Sequence, residues 1–389
     1  MSKHKARVLV LGLGANGLGV VRSLYSFPEY KVIGVHFGRG DVGRFTRLVR
    51  KIACTEPIAD AKALSEKIPE WCPGPVPTVI IPSRDIEVNL LSELADELPA
   101  HFLFYRNSNA AVRALSDKNL VQKTALQAGL EIPKTLFLTD PEDAALVGLR
   151  YPLLLKPLRS NVSQTPFKNI MVHNESELHR VLQKEELVNH VVLQEFIPGG
   201  DDHVYHCNLL IDRRSRTIGV VELQKIRQSL PLRGMPSYGR TLLTRELVPM
   251  CERLAAVVGY KGLMNIEFKK DDENDRWVFI ETNLRLPIFN SVFARAGVNL
   301  AHLYVQSLLE EPPSSPAFAS RTATWMHEEN DLANILMRRV DAKFSQWFWQ
   351  FIRSDSYAYW FSYDPLPSIY LWCWMIYRQC KRLFSIGHA

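Results

Sequence analysis

The cysteines Cys54, Cys72, Cys207, Cys251, Cys373 and Cys380 are scattered, and no two form a Cys-x-x-Cys pair. That excludes a disulfide framework and a four-cysteine zinc site, and it predicts a reducing compartment. Long apolar runs are also missing. The apolar stretch at 8–11 is too short for the core of a signal peptide. No run reaches the ~18 apolar residues of a membrane-spanning helix. The expectation is a cytoplasmic protein. Charge of one sign is not in large excess. A net charge of +6 suits phosphate-bearing substrates or an anionic membrane surface and makes no demand for nucleic acid. What the chain does have is a core. With 47% hydrophobic and 23% charged residues its composition is globular, and 389 residues suffice for two or three packed units.

Residues 1–115 alternate between strand and helix patterns. β-rich runs at 7–11, 31–37, 76–82 and 101–105 are separated by helical stretches, the first at 18–25 after a glycine-rich turn. That rhythm predicts a doubly wound parallel sheet. From Ser116 the pattern changes. An amphipathic helix at 118–128, with Asp117 at its start and Gly129 at its end, is followed by short strands at 151–156, 190–195, 263–270 and 276–283. The segment 310–316, Glu-Glu-Pro-Pro-Ser-Ser-Pro, has the composition of a linker. Beyond it tryptophan and tyrosine dominate. The expected division is 1–115, 116–316 and 317–389, and no internal repeat is present.

The most informative stretch is the acidic hairpin. Along the strand 276–283, Glu281 and Asn283 share a face because side chains alternate with period two. With a five-residue turn, Glu267 is expected opposite Glu281. Facing carboxylates repel, and a cation between them turns the repulsion into a site. Two carboxylates and an amide oxygen are hard ligands suited to magnesium, with phosphate oxygens completing the shell. The same residues also read as a solvated hairpin whose charges keep an edge soluble, although Glu281 and Asn283 continue an apolar strand.

Lys156 ends an apolar strand and Lys118 begins a helix. A lysine at the end of a buried strand meets an anion or reaches water, and triphosphate oxygens would satisfy both lysines. In the run Gln194-Glu195-Phe196-Ile197-Pro198-Gly199-Gly200-Asp201, backbone groups at a strand end could pair with a flat heterocycle. Phe196 and Ile197 would then line an apolar slot, Gln194 would read an exocyclic amine and Asp201 a ribose hydroxyl. Taken alone the run is a strand and a turn.

In order, Ser-Asp-Lys at 116–118, Tyr-Pro-x-x-x-Lys-Pro at 151–157, Gln-Glu-Phe-Ile-x-Gly at 194–199, Ile-Glu-Phe-Lys at 266–269 and Glu-Thr-Asn-x-Arg at 281–285 resemble the ATP-grasp superfamily. More narrowly they resemble its carboxylate–amine ligase branch, which includes D-aspartate ligases. The resemblance spans roughly residues 7–310. It implies an N-terminal parallel-sheet (pre-ATP-grasp) domain, ATP-grasp domains with mixed or antiparallel sheets, and a helical aromatic C-terminal extension. It further implies an ADP-forming ligase that uses ATP and magnesium, or manganese, to activate a carboxylate as an acyl phosphate for attack by an amine. Lys118 and Lys156 would hold phosphates. Glu195 and Ile197 would bind adenine through backbone groups, with Gln194 at the amino group and Asp201 at the ribose. Glu267, Glu281 and Asn283 would hold the metal. Lys225 and Arg227 would contact ATP or the carboxylate, and Arg285 would steady the acyl phosphate. Two departures stand out. The loop 158–168, glycine-bearing in the family, has no glycine and offers Ser160 and Ser163 instead. Leu284 stands where proline is commoner.

Three rivals remain. Gly12-x-Gly14-x-x-Gly17 after a strand fits a dinucleotide-binding dehydrogenase, but His36-Phe37-Gly38 stands where the ribose-binding acid is expected and Asp41 lies beyond. A non-catalytic nucleotide-binding scaffold and a biotin-type carboxylase are the others. His203-x-x-His206 has metal-ligand spacing, and also the look of two structural histidines in a strand. In the C-terminal region the aromatic run 366–377, followed by Arg378, Lys381 and Arg382, suits either a cap on the core or peripheral attachment to a membrane. The latter would go with a cell-envelope precursor as substrate in place of a soluble small molecule.

Overall fold

A computed structural model describes residues 4–38, 40–54, 58–137, 151–157, 170–185, 191–232, 234–310, 313, 315–340 and 343–386. The glycine-free loop at 158–168 lies outside them. Five parallel strands open the fold: β1 (Ala6–Leu11), β2 (Tyr30–Phe37), β3 (Arg50–Cys54), β4 (Thr78–Pro82) and β5 (Phe102–Leu103), in spatial order β3-β2-β1-β4-β5. β1 is buried along its whole length and, apart from Arg7, reads as an apolar run, as strands covered on both faces do. Helices α1 (Ala15–Leu24), α2 (Ala61–Trp71) and α3 (Asp85–Glu93) complete the unit. The strand expected at 101–105 shortens to Phe102–Leu103. Phe104 and Tyr105 are apolar because they are buried, not because they pair in the ladder. Strand order reverses at β1, so the crevice beyond the carboxyl ends of β1 and β4 is the topological switch point.

Next come α4 (Asn109–Ser116) and α5 (Lys118–Gln127). Asp117 caps α5, its carboxylate accepting from the Asn119 and Leu120 N–H groups at 2.9 and 3.1 Å. A four-stranded antiparallel sheet follows, built from β6 (Thr135–Phe137), β7 (Leu153–Pro157), β8 (Ile170–Val172) and β9 (Val191–Glu195) in the order β6-β9-β7-β8, with α6 (Glu175–Glu185) beside it.

The largest sheet holds β10 (Val204–Ile211), β11 (Thr217–Gln228), β12 (Pro236–Leu242), β13 (Gly262–Asp271), β14 (Arg276–Asn283), β15 (Ala317–Phe318), β16 (Thr324–Met326) and β17 (Ser356–Tyr357). Their order is β14-β13-β10-β11-β12-β16-β17, with β15 beside β11. Helices α7 (Val248–Val258) and α8 (Leu300–Leu309) pack against it. Sequence patterning missed β10 to β12. β11 explains why: Glu222, Lys225, Arg227 and Gln228 are buried in it beside Val220, Val221 and Leu223, so hydrophobicity does not alternate along the strand.

Beyond 316 the chain adds strands to this sheet as well as the expected helices, α9 (Glu328–Leu336), α10 (Phe344–Arg353) and α11 (Leu366–Ile386). The start of α11 is a cap on the N-terminal unit. Tyr370 stacks on Phe45 at 4.0 Å between centroids, and Arg44 donates to its hydroxyl at 3.0 Å. Just before α11, Asp364 accepts from the Thr46 hydroxyl and the Arg47 N–H at 2.7 and 3.0 Å. Arg22 of α1 donates to the carbonyls of Ala358 and Tyr359 and lies 3.7 Å from the Asp364 carboxylate. Farther along α11, Trp374, Ile376 and Tyr377 are exposed. Among the described residues no helix is long and apolar enough to cross a membrane.

His327 precedes α9, where its ring accepts from the Asn330 N–H at 3.4 Å, and burial pushes its pKa down to about 4. The unfolded ring titrates near ~6.5, so between these values the unfolded state holds the extra proton and stability falls as pH is lowered. Urea denaturation at pH 7 and pH 5 should show a smaller acid loss in His327→Asn, which keeps a capping acceptor, than in the parent.

Candidate active site

The acidic hairpin sits at the edge of the largest sheet. β13 and β14 pair so that Glu267 faces Glu281 and Asn265 faces Asn283. The facing is as expected, but the means are different. The turn takes the four residues 272–275, and Asp271 pairs with Arg276. An uninterrupted ladder from there would set Glu267 against Ile280 and send Glu281 to the other face. A bulge between Glu267 and Phe268 corrects the register and brings the carboxylates together.

Glu267 is held from behind. The buried Lys225 of β11 donates to its Oε2 at 2.9 Å and to Gln228 Oε1 at 3.1 Å. His206 of β10 lies against the same carboxylate, Nε2 to Oε2 at 3.5 Å. The Asn265 amide reaches His206 Nδ1 at 3.1 Å and Asn208 Oδ1 at 2.8 Å. With Nδ1 accepting, the imidazole proton sits on Nε2 and points at Glu267. Burial, reinforced by Lys225, pushes the His206 pKa well below the ordinary histidine range, so the ring is neutral. On the open side, Asn283 donates to Glu281 at 3.3 Å, and Arg285 donates to Asn283 at 3.2 Å and to Asp85 at 2.9 Å. Asp85 begins α3, so Arg285 ties the hairpin to the switch-point crevice of the N-terminal sheet.

Lys156, near the end of β7, enters the same field. Burial lowers its pKa, the carboxylates of Glu281 and Glu267 raise it, and Lys118 lowers it. The topology thus collects Lys118, Lys156, Glu267 and Glu281, which come from four separate motifs, around one space. Ile197 is buried beyond β9, and Phe196 carries the Lys269 ammonium over its ring at 4.3 Å. Two carboxylates and an amide oxygen on one rim, with no bulky or soft ligand among them, fit a magnesium ion that takes its remaining oxygens from phosphate.

No family model matches the chain. It is 24% identical to urea amidolyase of Saccharomyces cerevisiae over 278 residues, which is 64% of this chain but only 14% of that protein. The match to urea amidolyase of Lachancea kluyveri is similar, 24% over 245 residues, or 57% of this chain and 13% of that one. Among solved structures, N5-carboxyaminoimidazole synthetase of Staphylococcus aureus superimposes with a TM-score of 0.65 over 87% of each chain at 14% identity. Biotin carboxylase of Campylobacter jejuni gives 0.61 over 82% of this chain and 74% of that one, at 17% identity. L-amino acid ligase of Bacillus licheniformis gives 0.59 over 83% and 80%, at 17%. The chain has the ATP-grasp fold.

Within this ATP-grasp frame three sequence expectations need correction. Arg227 does not face the site. Its guanidinium makes a two-pronged ion pair with Asp331 of α9, at 2.9 and 2.6 Å, and lies over Tyr238 at 4.5 Å. The register of β11 with β12 shifts on either side of Arg227, which re-aims a residue that alternation would place beside Lys225. Gln194 is buried and doubly engaged, accepting from Lys156 at 2.5 Å and donating to Thr135 at 3.0 Å, so it positions the lysine and does not read an amine. Asp201 spends its carboxylate on the Gln228 N–H, the Gln228 amide and the Leu232 N–H, at 2.8, 2.8 and 2.6 Å, pinning the β11–β12 loop where a ribose contact was expected. His203 and His206 do not converge. His203 pairs with Asp202 and Asp272 at the surface, while His206 is buried behind Glu267.

The glycine motif also has a structural account. Gly12 has φ +89°, and a Cβ on Gly17 would lie 1.9 Å from the Gly12 carbonyl oxygen. The buried Asp41 accepts from the Leu13 and Phe37 N–H groups at 3.1 and 2.8 Å. A carboxylate already bound to the loop amide repels the pyrophosphate that a dinucleotide-binding loop receives. Asn16 and Asn290 then stitch α1 to the segment after Arg285, through Leu286 O at 3.0 Å and Asn16 O at 2.9 Å. The support that His206 gives Glu267, and the parts played by Asn265 and Asp85, were missed. Period-two spacing from Glu267 could have flagged Asn265, but the other two meet the site only through tertiary contact.

Breaking a buried pair by neutralising one partner typically costs ~3–5 kcal/mol. Asp331→Asn should therefore lower unfolding free energy by about that much with nucleotide affinity unchanged in the folded fraction, whereas Lys156→Met should weaken nucleotide binding with little loss of stability. Urea denaturation and calorimetric titration separate the two.

Proposed function

We propose that this chain is an ADP-forming ligase that activates a carboxylate with ATP and couples it to an amine. The observation that carries the reading is the convergence of Glu267, Glu281 and Asn283 with Lys156 and Arg285 at the mouth of the switch-point crevice. The support from likeness is that proteins of this fold bear ligase names, and one structure holds magnesium, ADP and bicarbonate.

When bound, magnesium neutralises phosphate charge and orients the transferring phosphoryl group. The chain's own groups do the rest. Lys156, braced by Gln194, supplies a desolvated cation for phosphate oxygens. Lys225 and His206 hold Glu267 in place so that it is not driven off by Glu281. Backbone groups of Glu195 and Ile197 bind the base beside Phe196. Arg285 stands between the metal rim and the N-terminal crevice, where it can stabilise the oxyanion formed by amine attack. The acceptor enters over the carboxyl ends of β1 and β4, beside the Asp85–Arg285 pair. The carboxylate is a small molecule or a cell-envelope precursor.

We further propose that a cytoplasmic enzyme of this kind touches a membrane through α10. Trp347 and Phe351 turn inward, while Phe344, Phe348, Trp349 and Ile352 are 54, 45, 57 and 53% exposed along the other face. Lys343 and Arg353 flank them. Aromatic rings beside basic groups match the headgroup zone of an anionic bilayer, and a helix this short would lie in its plane.

A screen of carboxylates against amines, read by ADP release and product mass, tests the ligase. Glu281→Gln and Asn283→Ala should each lose at least ~100-fold in turnover, the scale expected when phosphoryl charge is no longer neutralised, with melting temperature retained. Magnesium-dependent turnover persisting in folded Glu281→Gln rules the site out. For the membrane contact, co-sedimentation with phosphatidylserine vesicles at low salt should be lost in Phe348→Ser/Trp349→Ser. A parent protein that ignores the vesicles, or dimerises through α10 instead, refutes it.

A further inference from the structure

A large cleft lies away from the candidate active site. Its volume is about 590 Å³, and it opens between the C-terminal end of α1, the turn at 291–299, Arg321 and the strap at 355–363. None of the nucleotide or metal candidates lines it. The volume falls within the ~300–1,000 Å³ of small-molecule sites.

Its lining combines cations with exposed rings. Arg295 and Arg321 are both exposed at its edge, and neither has a carboxylate partner among the described residues. Arg321 donates through Nε to the Arg295 carbonyl, which holds the Arg321 side chain against the Arg295 backbone at the rim of the cleft. The one acid in the wall, Asp355, already accepts from the Thr324 N–H and hydroxyl at 2.8 and 3.0 Å. Opposite stand Tyr25, Trp360 and Tyr363, exposed by 48, 45 and 73%. Tyr25 and Tyr363 stack at 6.0 Å between centroids, so the rings form a surface and are not isolated side chains. One feature opposes an anion here, the carbonyl end of the α1 dipole, worth roughly half a charge. Arg22, in the last turn of α1, is itself paired with Asp364, so Arg295 and Arg321, without carboxylate partners among the described residues, decide the sign.

We propose that this cleft is a second ligand site, for an organic anion carrying a flat ring: the ring on the Tyr25–Trp360–Tyr363 surface and a carboxylate or phosphate on Arg295 and Arg321. Guanidinium groups take both anions in a two-pronged fashion, and exposed aromatic rings gain contact area on binding. The site stands whether or not the ligase reading holds. α1 runs from the Gly12 turn to this cleft, and the segment after Arg285 runs through Asn290, which bonds to Asn16, into its wall.

Saturation-transfer NMR on the full chain with phenyl phosphate and phenylacetate as probes tests this. At least one should bind saturably with a Kd below about 1 mM, equivalent to ~4 kcal/mol. Arg295→Ser/Arg321→Ser should weaken it at least ~10-fold, or 1.4 kcal/mol. Ala294→Trp, which fills the cleft and leaves both arginines, should do the same. Lys156→Met, which disables the phosphate lysine of the catalytic cleft, should leave the affinity unchanged. Binding of phenyl phosphate alone assigns a phosphate ligand, and binding of both probes means a carboxylate suffices. No saturation by either probe at 10 mM, about tenfold above the expected Kd, overturns the proposal, as does equal affinity in the double arginine variant.

Discussion

Two carboxylates held face to face across antiparallel strands repel by roughly 1–3 kcal/mol at the separations of a cross-strand pair. The sheet around Glu267 and Glu281 is organised by that repulsion. Lys225 takes one oxygen of Glu267, the neutral His206 turns its N–H towards it, and Asn265 and Asn208 fix the tautomer. Gln228 holds Lys225 and is itself held by Asp201. The chain of contacts runs from the acidic rim to the β11–β12 loop. A divalent cation and a triphosphate would meet an electrostatic arrangement already assembled, which is how a site without a nucleophile can still be catalytic.

Cations in this molecule divide by their partners. Arg227 is buried and satisfied by a carboxylate, and Arg22 bonds to carbonyls through its terminal nitrogens with its Nε left unpartnered; both join the C-terminal segment to the rest of the fold. Lys156 and Arg285 are satisfied only in part, by one amide oxygen in the first case and by Asn283 and Asp85 in the second, with Arg285 Nε buried and unpartnered among the described residues. Desolvating a guanidinium N–H without a partner is costly. That cost is tolerable where a substrate oxygen supplies the missing bond, which fits a place between the metal rim and the acceptor crevice.

The segment beyond 316 is more than an appendage. β16 and β17 extend the largest sheet, α9 supplies Asp331 to Arg227, and Asp364 locks Thr46 and Arg47. Its remaining apolar surface is concentrated on α10 and the outer face of α11, where burial inside the molecule stops.

Much of the fold was legible from local signals. Apolar runs marked β1, β2 and β4, the Asp117 cap marked the start of α5, and the residues of the metal rim were named by alternation within one strand. β10 to β12 were not legible, because strands buried on both faces among polar partners lose the period of two. Sequence alone determined which residue types could hold phosphate and metal, since these follow from chemistry and local spacing. Tertiary structure decided which of them meet. A one-residue bulge, invisible in composition, chose the face of Glu281, and the register shifts of β11 sent Arg227 to Asp331 instead of to the site. Side-chain direction in a sheet reverses with every residue, so a single step of register outweighs any local preference.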